Sequence, residues 1–260
     1  MGIRGVDPQS IRNVTIAGEP AETTGVVRRL FRGCAGTGAA AALHRVGRVD
    51  HTIRVAELSS YAPIADLERA IRVADGVIVI LNAAVANAPR LETILRVADD
   101  HQVARLCLVI GLDHPGADFD RCLRAIADAR GARPLTLHLP LGIGPGFEGV
   151  LDLVPMWALE PMAAEFYGPR WKVAEQWYRD LTAAVAELDS EDSDADLGTR
   201  KIPPAQLHDY IRSVTRLGEA VPVLCDAARG SDDTATLLDA IVRYLPSPML
   251  VCQPEHALDY

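Results

Sequence analysis

The stretch Ile11-Arg-Asn-Val-Thr-Ile-Ala-Gly-Glu-Pro-Ala-Glu-Thr-Thr-Gly-Val-Val-Arg-Arg-Leu-Phe31 decides the fold. Val14 and Ile16 alternate with polar residues, so residues 13–17 read as a short strand. A tight Gly18-Glu19-Pro20 turn follows, and Thr23 or Thr24 is placed to cap a helix running to about Arg32. Strand, turn and capped helix are the layout of a phosphate-binding loop. Such a loop needs glycines for close backbone approach and a lysine before its last Ser/Thr to hold the outer phosphates. Ala17, Glu22, Thr23 and Thr24 stand in the places of Gly, Gly, Lys and Ser/Thr. The frame is present, with a carboxylate where phosphate would sit and no lysine beside it.

Beyond the first helix, Gly33-Cys-Ala-Gly-Thr-Gly38 is a joint. It follows a helix and not a strand, so it is not a dinucleotide-binding glycine motif. Residues 39–46 and 51–58 read as two strands of a hairpin turning at Gly47-Arg48-Val49-Asp50. Ile64, Leu67, Ile71 and Ala74 recur at helical spacing, and Val77-Ile-Val-Ile-Leu81 is a β-branched run of the kind buried on both faces of a sheet. A helix marked by Leu91, Leu95 and Ala98, a strand at 104–111, a helix marked by Phe119, Leu123 and Ile126, and a strand at 135–139 follow in turn. This alternation predicts an α/β fold, a mostly parallel sheet with helices on both faces.

From Pro145 to about Val221 the rhythm breaks. Residues 147–157 read as strands. Val173, Trp177, Leu181, Val185 and Leu188 stripe a long helix, Asp189-Ser-Glu-Asp-Ser-Asp-Ala-Asp196 reads as a solvated acidic loop, and residues 204–217 read as a helix. A strand at 221–225 and a helix at 234–245 restore the pattern. One sheet domain, residues 1–144 and 218–260, is thus expected to carry an inserted α+β subdomain at 145–217.

With 260 residues, 49% hydrophobic and 23% charged, the composition is that of an ordinary globular domain. A net charge of -9 argues against DNA and anionic membranes as partners. The longest apolar run, residues 76–88, is too short to span a bilayer, and residues 1–6 lack an apolar signal core. Cys34, Cys107, Cys122, Cys225 and Cys252 lie singly, which favours free thiols and a cytoplasmic setting. His44 and His51 straddle the hairpin without an evident third metal ligand, and His138 reads as a hydrogen-bonded core residue. Trp157, Trp171 and Trp177 read as the core of the insertion. No metal site is expected.

Ile11-Arg-Asn-Val, Glu68-Arg-Ala-Ile-Arg-Val-Ala-Asp-Gly76, Gly116-Ala-Asp-Phe-Asp120, Leu139-Pro-Leu-Gly142, Gly149-Val-Leu-Asp-Leu-Val154, Pro222-Val-Leu-Cys225 and Tyr244-Leu-Pro-Ser-Pro248 occur in an order that resembles the GTP-binding domain of bacterial elongation factor G and its ribosomal-protection relatives. The likeness runs over nearly the whole chain. It implies a Ras-like P-loop fold with that family's insertion after the fifth strand, a site for GTP and Mg²⁺, and a role beside the ribosome.

Against the family's motifs, Thr24 keeps the magnesium position, while a Glu22 carboxylate about 4 Å from a phosphate would cost roughly 4 kcal/mol at an effective dielectric near 20. The first switch is reduced to residues 33–38. The Asp-x-x-Gly of the second switch reads Glu57-Leu58-Ser59-Ser60, and Tyr61 replaces the histidine that orients the attacking water. The guanine-reading Asn-Lys-x-Asp reads Ile110-Gly111-Leu112-Asp113, and the closing Ser-Ala reads Ala227-Ala228. The vestigial site expected is therefore Ala17, Glu22, Thr23, Thr24, Glu57, Ser60, Asp113, Ala227 and Ala228, with no catalytic residue. With the cap at Thr23, Arg28 and Arg29 lie inside the helix and are expected to point away from the phosphate loop. Glu57, Asp113 and Asp226 should share one rim of the sheet. The reading is a pseudo-GTPase with no cofactor, binding a protein or ribosomal partner, with 145–217 as the candidate contact segment. The alternative is a GTPase with atypical loops that takes GTP or GDP with Mg²⁺.

Overall fold

The computed structural model describes residues 7–32, 41–85, 88–156, 168–188, 202–226 and 234–251. Strands β1 (Ile11–Gly18), β2 (Ala41–Val46), β3 (Val49–Ser59), β4 (Gly76–Asn82), β5 (Ala104–Ile110), β6 (Pro134–Thr136) and β9 (Val221–Cys225) form one sheet. Their order is β2-β3-β1-β4-β5-β9-β6. All neighbours are parallel except the β2–β3 hairpin, which turns through Gly47 at φ 62°. A mostly parallel sheet of this order is the expected Ras-like architecture.

The helices are α1 (Pro20–Leu30), α2 (Ile64–Arg72), α3 (Leu91–Asp100), α4 (Phe119–Ala127), α5 (Pro169–Leu188), α6 (Pro204–Arg216) and α7 (Ala235–Tyr244). Strand periodicity assigns them to two layers. Val14, Ile16, Ile78, Ile80, Leu106 and Leu108 point to one face, where they meet apolar residues of α1, α5, α6 and α7. Ala17, Val77, Val79, Leu81, Cys107 and Val109 point to the other, against α2, α3 and α4. Two covered faces are why β4 and β5 read as unbroken apolar runs.

The strand expected at 135–139 divides. Its first half is β6, a sheet edge, and the chain then leaves the sheet as β7 (His138–Leu141), which pairs antiparallel with β8 (Gly149–Asp152) in a second, two-stranded sheet. Leu137 bridges the two, its amide donating to Val223 and its carbonyl accepting from Leu153. β9 lies between β5 and β6, so the strand that follows residues 145–217 is interior to the sheet.

The stripe on α5 is rotated from expectation. Trp171, Ala174, Tyr178, Leu181 and Val185 are its buried face, whereas Val173 is 51% exposed. That face joins the cluster containing Leu207, Ile211 and Leu106, so α5 shares its core with the main sheet. Trp177 lies at the margin with its ring 6.2 Å from Phe119. Trp157, the loop at 189–196 and the joint at 33–38 lie outside the described residues.

Two distant sequence blocks meet in this packing. A Cβ on Gly76 would lie 2.7 Å from a methyl of Leu245, so glycine lets the buried Leu245 side chain seat over the start of β4 without shifting. Beside it, Asp75 accepts from both the backbone and side-chain amides of Asn13, locking the starts of β1 and β4 together.

At the N-terminal ends of the strands, where helix C-termini gather unpaired carbonyls, two buried arginines satisfy them. Arg12 donates to Val242, and Arg105 to Leu95 and Gly218 while pairing with Asp99.

Candidate functional site

The site expected from sequence lies at the C-terminal rim of the sheet, where open α/β folds bind ligands. β1 ends at Gly18 and α1 begins at Pro20 with Glu19 as its N-cap, so one residue joins strand to helix. Neither Thr23 nor Thr24 is the cap. Proline at the first helical position, whose fixed φ suits a helix start, winds the helix back into what would be the phosphate loop. The amides of Glu22 and Thr23 are consumed in that first turn by the Glu19 carbonyl, at 3.0 and 2.9 Å. Thr23 is buried and donates to the Pro20 carbonyl. Ala17 is buried in the layer of α2–α4.

The other side chains are engaged with one another. Thr24 Oγ1 donates to Glu57 Oε2 at 2.8 Å, closing the magnesium position directly onto the second-switch carboxylate. The register that sets Ile16 opposite Glu57 and Gly18 opposite Ser59 brings these groups together. The Ser60 amide, which would face a γ-phosphate, donates to the Gly18 carbonyl at 2.8 Å. Its hydroxyl is buried without a partner among the described residues. Tyr61 donates its hydroxyl to the Glu19 carboxylate.

Glu22 is held by Asn82, whose Nδ2 donates to Oε1 at 2.6 Å. Partial burial pushes the Glu22 carboxyl above its ordinary value, the Asn82 donor opposes that shift, and neighbouring Glu19 adds to it. Glu19, Ala21, Glu22 and Asn82 line a cleft of about 240 Å³ walled by Val79, Leu91 and Ile94. Two carboxylates in its lining disfavour an anion.

Asn82, which sequence reasoning missed, also organises the base-reading motif. Its Oδ1 accepts from the Ala84 amide and lies 2.5 Å from where a Cβ on Gly111 would be. Gly111 sits at φ 71°. A lysine at this position would be strained twice over, by its backbone and by Asn82. The signal available in the sequence was a lone amide ending the apolar run of β4 at the binding rim.

Glu57 lies near the C-terminal end of β3, and Asp113 and Asp226 follow the C-terminal ends of β5 and β9. With β3 and β9 four strand spacings apart, roughly 19 Å, they do not converge on one cation. No group of three or more His, Cys, Asp or Glu suited to a metal occurs among the described residues. Arg29 pairs with Asp226, which follows β9, three strands from β1. Ala227 and Ala228 lie outside the described residues.

His44 and His138 are engaged within the fold. His44 faces His51 across the hairpin but pairs with Asp239, at 2.6 Å. The buried Nδ1 of His138 accepts from the Cys225 amide at 3.2 Å, and burial lowers its pKa. Cys107, Cys122 and Cys225 are free, buried thiols. Among the described residues no helix is long and apolar enough to cross a membrane.

A triphosphate with Mg²⁺ does not fit this donor set: the loop amides, the threonine hydroxyl and the second-switch carboxylate are spent on partners within the chain.

Residues 64–247 match the family model described as the elongation factor Tu GTP binding domain. The matched span begins after β1, α1 and the Glu57–Tyr61 segment. The chain is 36% identical over 211 residues to elongation factor G of Orientia tsutsugamushi, an alignment covering 78% of this chain and 28% of that protein. Among solved structures it resembles "ttk003000868" of Thermus thermophilus, with a TM-score of 0.68 and 18% identity over 93% of this chain and 41% of the other, which supports the fold. The chain belongs to the elongation factor Tu GTP-binding-domain family, and within it to the elongation-factor-G-like members.

Proposed function

We propose that this elongation-factor-G-like domain is a pseudo-GTPase, a binding module for a protein or ribosomal partner that works without nucleotide. The observation that carries the reading is the pairing of site residues with one another: Thr24 with Glu57 and Glu22 with Asn82. A ligand would have to break both contacts and meet the Glu22 and Glu19 carboxylates in the position of phosphate. The wound start of α1 supports the reading, because backbone amides inside a helix cannot also cradle an anion. Without a phosphate to sense, the Ser60-Tyr61 segment has one resting arrangement, so partner binding is nucleotide-independent. The outer face of residues 145–217 is the proposed contact surface, and a cytoplasmic setting follows from the likeness to a translation factor.

A second reading, weak binding and hydrolysis of GTP with Mg²⁺, draws on the family's GTP-binding description and on the retained Thr24 and Asp113. Thermal unfolding with GTP, GDP or ATP and Mg²⁺ separates the two, because a ligand of the native state raises its stability by mass action. The expected result is no guanine-selective shift. A rise of several degrees with GTP and not with ATP would establish the second reading.

A further inference from the structure

At the pole opposite the nucleotide rim lies a pocket of about 340 Å³ between the start of β1, the start of β3, α6 and the segment after α7. Its charged lining is Arg12, Arg212 and Arg216 against a single carboxylate, Asp7, which is engaged in its own turn through the Gln9 amide. Arg12 is 4% exposed. Its Nη1 donates to the Gln9 and Ile11 carbonyls, and its Nη2 shares the Val242 carbonyl with Arg212. The Nε of Arg12 has no partner among the described residues, and neither do His51 Nδ1 and Ser247 Oγ, which line the same pocket and are likewise buried.

A buried guanidinium with an unused donor beside a second guanidinium makes a site where, among the described residues, cationic groups outnumber anionic ones. Asp75, which accepts from Asn13, offsets part of the Arg12 charge, and Arg212 and Arg216 lie in the same lining. Val49, Leu245 and Leu250 make the remaining wall apolar. The volume exceeds that of one tetrahedral anion and falls in the range of small-molecule sites.

We infer that this pocket binds a small phosphomonoester, its phosphate on Arg12, Arg212 and Arg216 with Ser247 as a further donor, and its organic part against Val49, Leu245 and Leu250. Arginine forks suit phosphate oxygens in number and geometry. The electrostatics agree. Burial, and then Arg212, lower the Arg12 pKa to about 10 against the opposing charge of Asp75, a shift that a bound dianion would reverse. His51 is also lowered, by burial and then by Arg12, and enters the pocket as a neutral ring able to donate or accept.

The test is thermal unfolding of the full chain with glycerol phosphate, inorganic phosphate or chloride at matched ionic strength. Glycerol phosphate at about tenfold its dissociation constant should raise the midpoint by roughly 3 °C. It should act at lower concentration than inorganic phosphate. The R212Q/R216Q variant should lose the response by at least a factor of about ten. In the unaltered chain the Arg12 Nε–H resonance should move on titration, a readout that does not depend on the variant folding. Equal midpoints in phosphate and chloride, a full response in a folded R212Q/R216Q, or an unmoved Arg12 signal would each overturn the assignment. Equal potency of inorganic phosphate and glycerol phosphate would reduce it to an adventitious ion only.

Discussion

Glu22 and Asn82 are 60 residues apart in the chain, yet the side-chain amide of one donates to the carboxylate of the other at 2.6 Å. Through the far side of the same amide, Asn82 lies against Gly111. The altered phosphate-loop position and the altered base-reading motif are thus joined by one side chain. Restoring a lysine at Gly111 would displace Asn82, which would strip Glu22 of its donor. Changes that look independent along the sequence are mechanically coupled in the fold.

Glu22 should make stability pH-dependent. Its folded pKa is raised above 4.5, so at low pH both folded and unfolded chains carry the proton and the residue contributes nothing. As pH rises from 4.5 toward the folded value, the unfolded chain releases its proton first and stability falls, then levels off. Glu22→Gln removes this loss. Urea unfolding between about pH 4 and pH 7 should show the variant gaining on the parent across that window. Parallel profiles would mean that the burial of Glu22 has no energetic consequence.

Gly111→Ala should cost about 1–2 kcal/mol from the left-handed backbone, plus the displacement of Asn82. In an Asn82→Ala background the second part vanishes. A double-mutant cycle should return a coupling of about 0.5–3 kcal/mol, and additive effects would show that the two residues do not press on each other.

Thr24→Val removes the hydroxyl that Glu57 accepts from. The pair is exposed, so the expected loss is small, below about 1 kcal/mol. The informative measurement is the melting point of the parent in Mg²⁺ and in chelator, which should coincide. A magnesium-dependent rise abolished by Thr24→Val would show that the ion displaces the hydrogen bond.

Gly142→Ala should be the most damaging of these changes. Gly142 has φ 82°, and an added Cβ would lie 2.0 Å from the Gly146 carbonyl, a backbone atom that cannot swing aside. A loss of at least about 2 kcal/mol is expected. Amide exchange should rise first at Leu139 and Leu151, which are paired across that hairpin. A variant as stable as the parent would mean that the turn has room to rearrange.

The sequence by itself determined the parallel α/β architecture, because strands buried on both faces must be continuously apolar and amphipathic helices must repeat near every 3.6 residues. Those periodicities are local and survive in one dimension. Proline at Glu19-Pro20 also carried the helix start, a cue outweighed in the sequence reading by the threonines after it. The tertiary structure alone decided which side chains meet. Thr24 with Glu57, Glu22 with Asn82 and Arg29 with Asp226 depend on the strand order β3-β1-β4-β5-β9, and no local pattern encodes that order. The buried face of α5 was likewise settled by the sheet it packs on, which chose Trp171 and Tyr178 over the equally apolar Val173. The pocket at the opposite pole was not legible at all. Arg12, His51, Arg212 and Ser247 come from separate elements, and only their convergence brings together buried polar atoms that have no partner among the described residues.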